Sequence, residues 1–139
     1  MGVPPLRTGA TVAVLAFAGC GAAPGACVLP AQKPMVEVDF YFGRDIAGRS
    51  SVTDAEWADF AAREITPRFP AGFTMLDAQG QWRNSQSGAV TREASKLMRV
   101  IVPGGGNLSA RVEAVSLAYR QSFHQDAVGI VSAPVCAAF

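Results

Sequence analysis

From Val36 to Gly43 the residue types alternate without a break: Val36, Val38, Phe40 and Phe42 occupy one set of positions, Glu37, Asp39, Tyr41 and Gly43 the other. Successive side chains of a strand point to opposite faces, so this pattern describes a strand with one face in a core and the other turned away from it. Such a strand needs cover on one side only, and the rest of the chain has to supply that cover.

Two amphipathic segments supply it. Thr53 is followed three residues later by Glu56, a pair that caps a helix by satisfying each other's backbone amides. The helix expected over 54–65 carries an apolar stripe of Trp57, Phe60, Ala61 and Ile65 and closes at Thr66-Pro67, because the residue before proline avoids helical angles. A second helix is expected to be capped by Asn107, with Leu108, Val112, Val115, Tyr119 and Phe123 at helical spacing. Between the helices, Phe73–Ala78 reads as a second strand, Gln79–Gly88 as a polar loop, and Lys96–Val102 as a third strand stopped by Pro103 and the triple glycine 104–106. Val128–Val135 completes the set. The order predicts an α+β fold of the ferredoxin-like split type, βαββαβ, a four-stranded antiparallel sheet with two helices on one face.

The N-terminus has a different grammar. Arg7 precedes the short apolar run Ala10–Ala18, too short to cross a bilayer and of the length of a signal segment. Phe17-Ala18-Gly19-Cys20 resembles the lipobox of bacterial lipoproteins, with Phe17 where leucine is usual; a plain secretory signal cut near Ala22 or Ala23 is the other reading. The expected organisation is a lipoprotein-type signal at 1–20 with Cys20 as the lipidated residue, a Pro- and Gly-rich tether at 21–34, and one domain at 35–139, exported to the periplasm or cell envelope and held to a membrane by its lipid. With Cys20 acylated, Cys27 and Cys136 remain as an even pair in an oxidising compartment, and the topology lays the last strand beside the first, so the two are expected to bridge.

Twelve Lys and Arg against 11 Asp and Glu leave no field of one sign, which disfavours nucleic acid as a partner. With a single histidine and no carboxylate cluster at ligand spacing, no metal or cofactor is expected.

Tyr41-Phe42-Gly43-Arg44, Thr66-Pro67-Arg68-Phe69-Pro70, Gly80-Gln81-Trp82-Arg83, Ser95-Lys96 and Pro134-Val135-Cys136 follow one another in the chain. In these segments the sequence resembles the bacterial domain-of-unknown-function family 3574 over roughly residues 36–139. The resemblance implies a small exported bacterial protein and hands over no catalytic residues.

The residues themselves offer several candidates. His124 stands near Asp126 at the end of the second helix, where a cap complementing the helix dipole suits it better than acid–base work without a nucleophile. The serine–lysine pair Ser95-Lys96 cannot share a proton if both lie on one strand, since they face opposite ways. Trp82 and Arg83, expected in the loop between strands two and three, can stack on and hydrogen-bond a planar or sugar-like ligand. Arg44 at the end of strand one and Arg68 between two prolines are candidates for a rim that recognises carboxylate or phosphate. On the sheet face turned from the helices, Glu37, Asp39 and Tyr41 are expected beside Leu97, Arg99 and Ile101 of a parallel strand three, with Asp39 and Arg99 paired. The resulting expectation is a non-catalytic binding or interaction module using that face, possible as a homodimer, with its small-molecule ligand unidentified. The alternative is a small enzyme of the dimeric α+β barrel type, acting on a small organic molecule through Asp39, Tyr41 and Arg99.

Overall fold

The computed structural model describes residues 27–46, 48 and 50–139. Cys20, the expected signal segment and the start of the expected tether lie outside these residues.

The alternating stretch forms β1 (Lys33–Gly43), beginning before Met35 because Lys33 and Pro34 already pair with Ala137 and Cys136. Its apolar positions, Val38, Phe40 and Phe42, are buried. Thr53 and Glu56 cap α1 (Asp54–Phe60) reciprocally: the Glu56 N–H donates to Thr53 Oγ1 at 3.2 Å and the Thr53 N–H to Glu56 Oε2 at 2.9 Å. The helix widens into a π turn (Ala61–Ile65), where the Thr66 N–H and hydroxyl both reach the Ala61 carbonyl before Pro67.

The next two strands are longer than the sequence predicts: β2 is Thr74–Arg83 and β3 is Val90–Val102. The polar residues Gln79–Arg83 are strand and not loop. Almost every β2 residue is exposed, as befits an edge strand, so neither face imposes apolar alternation. The remaining turn is held by Asn84, whose Oδ1 accepts from the Gln86 and Ser87 N–H groups at 2.9 Å each.

Gly105 and Gly106, both in left-handed backbone, lead into α2 (Leu108–Phe123). Asn107 stands at the expected cap position, but its side chain makes no capping bond; its backbone (φ −101°, ψ 25°) is not the extended conformation that aims a cap side chain at the helix amides. His124 ends α2 in left-handed backbone, and β4 (Gly129–Ala137) closes the chain.

The strand order is β2-β3-β1-β4 and every neighbouring pair is antiparallel, which makes the fold ferredoxin-like. β3 therefore runs antiparallel to β1, not parallel as expected. The α1 crossover returns β2 in the direction of β1, and the tight β2–β3 hairpin then reverses it. Which side chains share a face is unchanged, since directly paired residues share a face in either direction.

Beneath the helices lies an aromatic core centred on Phe42, whose ring centroid is 4.7 Å from Tyr119, 4.9 Å from Trp57 and 5.7 Å from Phe40. Phe60 and Phe123 extend it to α2, each packing on Tyr119. Tyr119 is fully buried, and its hydroxyl donates to the Gly43 carbonyl at 2.8 Å, which satisfies that polar atom within the cluster; burial pushes that phenol well above its ordinary pKa. Cys27 and Cys136 form a disulfide with a Cα–Cα distance of 5.6 Å, fastening the chain before β1 to β4 as the topology predicts.

Candidate binding face and its charged centre

The register sends Glu37, Asp39 and Tyr41 away from the helices and sets them beside Ile101, Arg99 and Leu97 respectively. β4 adds Ala133 opposite Glu37 and Val131 opposite Asp39; β2 adds Thr74 and Leu76. At the centre Arg99 grips Asp39 in a two-pronged bond, Nε to Oδ1 at 2.8 Å and Nη2 to Oδ2 at 2.7 Å, with Glu37 3.2 Å from the same nitrogen. The Asp39–Arg99 pair is thus present as expected. The Asp39 side chain is only 8% exposed even on this uncovered face, because Arg99 lies across it.

Asp39 would need a raised pKa to serve as a proton donor near neutral pH. The opposite holds: the hydrogen-bonded Arg99 guanidinium keeps its carboxyl below the usual carboxylate range, outweighing the upward push of burial. The arrangement suits a fixed, ionised pair and gives no support to acid–base work by Asp39. It also makes stability pH-dependent. With its folded pKa below the unfolded value of about 3.9, Asp39 stabilises the fold fully above that value, and this contribution is lost as pH falls through the folded pKa. Acid titrations followed by circular dichroism should therefore show Asp39→Asn less stable than wild type at pH 6, with the gap closing below about pH 4. A constant gap across that window would show that Asp39 is not ionised as described.

Arg44 is occupied by its own domain. Its Nε and Nη2 donate to the Val52 carbonyl, and Nη2 lies 3.1 Å from Asp54. Lys96, buried on the helix side opposite Phe42, joins the same cluster, 2.5 Å from Asp77 and 3.2 Å from Asp54. Asp77 raises the Lys96 pKa, and Lys96 with Arg44 lowers that of Asp54. This network anchors the start of α1 to β2 and β3. Nothing in the sequence links its members to one another, because Arg44, Asp54, Asp77 and Lys96 come from separate segments that meet only in the fold. Arg68 is likewise engaged, donating to the Glu64 carbonyl at 2.7 Å and to its carboxylate at 2.9 Å. Arg44 and Arg68 share no partner, so the structure does not assemble them into one rim.

Ser95 and Lys96 face opposite sides of β3, as expected. Trp82 and Tyr41, both substantially exposed, border a hollow at the end of the open face where His124 and Asp126 also lie. Among the described residues no three His, Cys, Asp or Glu side chains converge as metal ligands.

Comparison with known proteins agrees with this architecture. A phage SAM lyase in complex with S-methyl-5'-thioadenosine superposes with a TM-score of 0.57 at 15% identity, over 76% of this chain and 90% of that one. The same lyase in its apo state gives 0.54 at 13% identity, over 76% and 90% of the two chains. CutA1 from Oryza sativa gives 0.52 at 14% identity, over 78% and 86%. At these identities the likeness is one of fold alone. No curated protein matches in sequence. A family model does, over residues 37–139: the chain belongs to the family described as "Protein of unknown function (DUF3574)".

Proposed function

We propose that this chain is an exported, lipid-anchored interaction module, held to the cell envelope at Cys20, whose open sheet face packs against a second copy of itself. The observation that carries the reading is the make-up of that face. Leu76 and Val131 are each 55% exposed, Leu97 and Ile101 are half-buried, and together they surround a charge centre that the chain has already paired internally. Apolar surface gathered on one sheet face is the material of an interface, not of a solvated surface.

A second copy is the partner that fits. The face carries both signs side by side, and a two-fold axis through it presents Arg99 of one copy to Glu37 of the other. Arg99 is equipped for that contact: its side chain is 44% exposed, and its Nη1 has no partner among the described residues while Nε and Nη2 are engaged. The lipid anchor is supported by the run Ala10–Ala18 ending in Gly19-Cys20. The phage lyase likeness, being one of fold, adds no substrate to this reading.

Sedimentation equilibrium tests the self-association. Wild-type protein at tens of micromolar is expected to be dimeric, and Val131→Glu, which sets a carboxylate against its own image across the axis, should weaken the dimer at least about tenfold. A monomeric wild type, or a Val131→Glu variant as dimeric as wild type, would overturn the proposal.

A further inference from the structure

At the end of the open face where α2 passes into β4 lies a hollow of about 680 Å³, in the size range of small-molecule sites. Two glycines make it. Gly80 pairs with Glu93 across β2 and β3, and Gly43 pairs with Ser95 across β1 and β3, so on both sides of Glu93 the outer face lacks a side chain. Gly43 has no left-handed backbone to explain its presence; the reason is space. A Cβ at this position would run into Glu93 Oε1 and stand 3.2 Å from Gln125 Oε1. Two acceptor oxygens thus converge over a bare backbone.

Among the described residues no Lys or Arg side chain bonds either of them. The amide nitrogen of Gln125 is used on the Asp45 carbonyl at 2.6 Å, which leaves its oxygen as the end turned to Gly43. The Glu93 carboxylate has no donor among the described residues. Asp45, whose carboxylate accepts from the Ser51 hydroxyl at 3.0 Å, and Asp126 add two further carboxylates to the lining, and among the described residues no Lys or Arg takes part in it. Beside Thr91, Ser95, His124 and Ala127 the wall carries two exposed aromatic rings: Trp82 is 51% exposed, and Tyr41, 42% exposed, is seated on Gly129, where a Cβ would lie 3.2 Å from that of Tyr41. Three carboxylates that meet no Lys or Arg among the described lining residues, set beside the smaller polar groups of Thr91, Ser95 and His124, and two exposed π faces are complementary to a positively charged organic group. Such a group sits over aromatic rings by attraction to the ring quadrupole and gains from a nearby carboxylate. A bare metal ion is a poorer match, since no ligand triad converges among the described residues.

We propose that this hollow binds a small organic cation of the alkylammonium class, with Trp82 and Tyr41 supplying the π faces and Glu93 the counter-charge. Floor and walls all come from one chain, so the site stands independently of self-association.

The test is titration calorimetry of the full chain with choline, and with its uncharged isostere 3,3-dimethylbutan-1-ol as the control for shape. Choline is expected to bind saturably and at least about tenfold more tightly than the isostere, the discrimination a cation–π contact with a counter-charge provides. Glu93→Gln, which keeps the shape, should lose about fivefold or more. Thr91→Lys, which brings a competing ammonium next to Trp82 across the β2–β3 pair, should abolish binding. Quenching of Trp82 fluorescence gives a second readout, because the other tryptophan, Trp57, is 2% exposed and out of the ligand's reach. Equal affinities at protein concentrations above and below the self-association midpoint would separate this site from the dimer. No saturable choline signal, a preference over the isostere below tenfold, or a Glu93→Gln variant within fivefold of wild type would overturn the proposal.

Discussion

Replacing Cys136 with serine is expected to lower the stability of the domain by ~4–5 kcal/mol and its thermal midpoint by roughly 15–25 °C. Cys27 and Cys136 are 109 residues apart in sequence, so their bond closes nearly the whole described chain into one loop. On the chain-entropy account, the freedom this removes from the unfolded ensemble grows with the logarithm of loop length and reaches ~4.8 kcal/mol at this size. That is a large share of the ~5–15 kcal/mol that holds a domain of this kind folded. Little else is lost with the sulfur. Cys136 is exposed and Cys27 half-buried, so a serine leaves no cavity and strands no buried polar group. Single and double serine variants should therefore melt together, and reduced wild type with them. Melting followed by circular dichroism checks the magnitude, and intact mass after alkylation with and without reductant checks the bond. A shift under ~5 °C for Cys136→Ser would show that β1 and β4 hold the ends together without it.

The second large effect is all-or-none. Cells fed a fatty-acid analogue should label the wild-type protein and recover it with membranes, whereas Cys20→Ser should carry no label and appear in the soluble fraction. Each methylene of an acyl chain contributes ~0.8 kcal/mol to partitioning, so losing the lipid changes the distribution by orders of magnitude. Of the three cysteines, Cys27 and Cys136 are joined to each other, which leaves Cys20 as the single candidate for acylation. Equal labelling of both proteins would refute the anchor.

Much of the fold was legible because its cues are local. The alternation of β1, the Thr53–Glu56 capping box, the stripes of α1 and α2 and the stop at Thr66-Pro67 each act within a few residues, and each appears where the residues put it. The Asp39–Arg99 pair was legible as well, once two strands were set side by side, because cross-strand partners share a face. What escaped was set by neighbours distant in sequence. Gln79–Arg83 carries no apolar alternation because an edge strand with both faces wet has no reason to, so its composition imitates a loop. The engagement of Arg44 and Lys96 with Asp54 and Asp77 depends on three elements meeting, and no spacing announces it. The hollow beside Glu93 was invisible for a different reason: glycines at 43 and 80 read as breaks in a pattern, whereas on the sheet they are the vacant positions that give the face its relief.

If Cys20 is lipidated as proposed, the disulfide also sets how high the domain can stand. Cys27 follows Cys20 by seven residues, and a fully extended chain covers at most ~3.3–3.6 Å per residue, so a chain anchored at Cys20 holds its first fastened residue within ~25 Å of the lipid. Were the stalk to run freely to the first residue of β1, Lys33, its limit would be ~45 Å. The bridge thereby nearly halves the radius the domain can sweep. In a chain lipidated at Cys20 it would concentrate the domain in a thin layer above the bilayer, where copies meet by diffusing in two dimensions, and reduction of one bond would lift that ceiling.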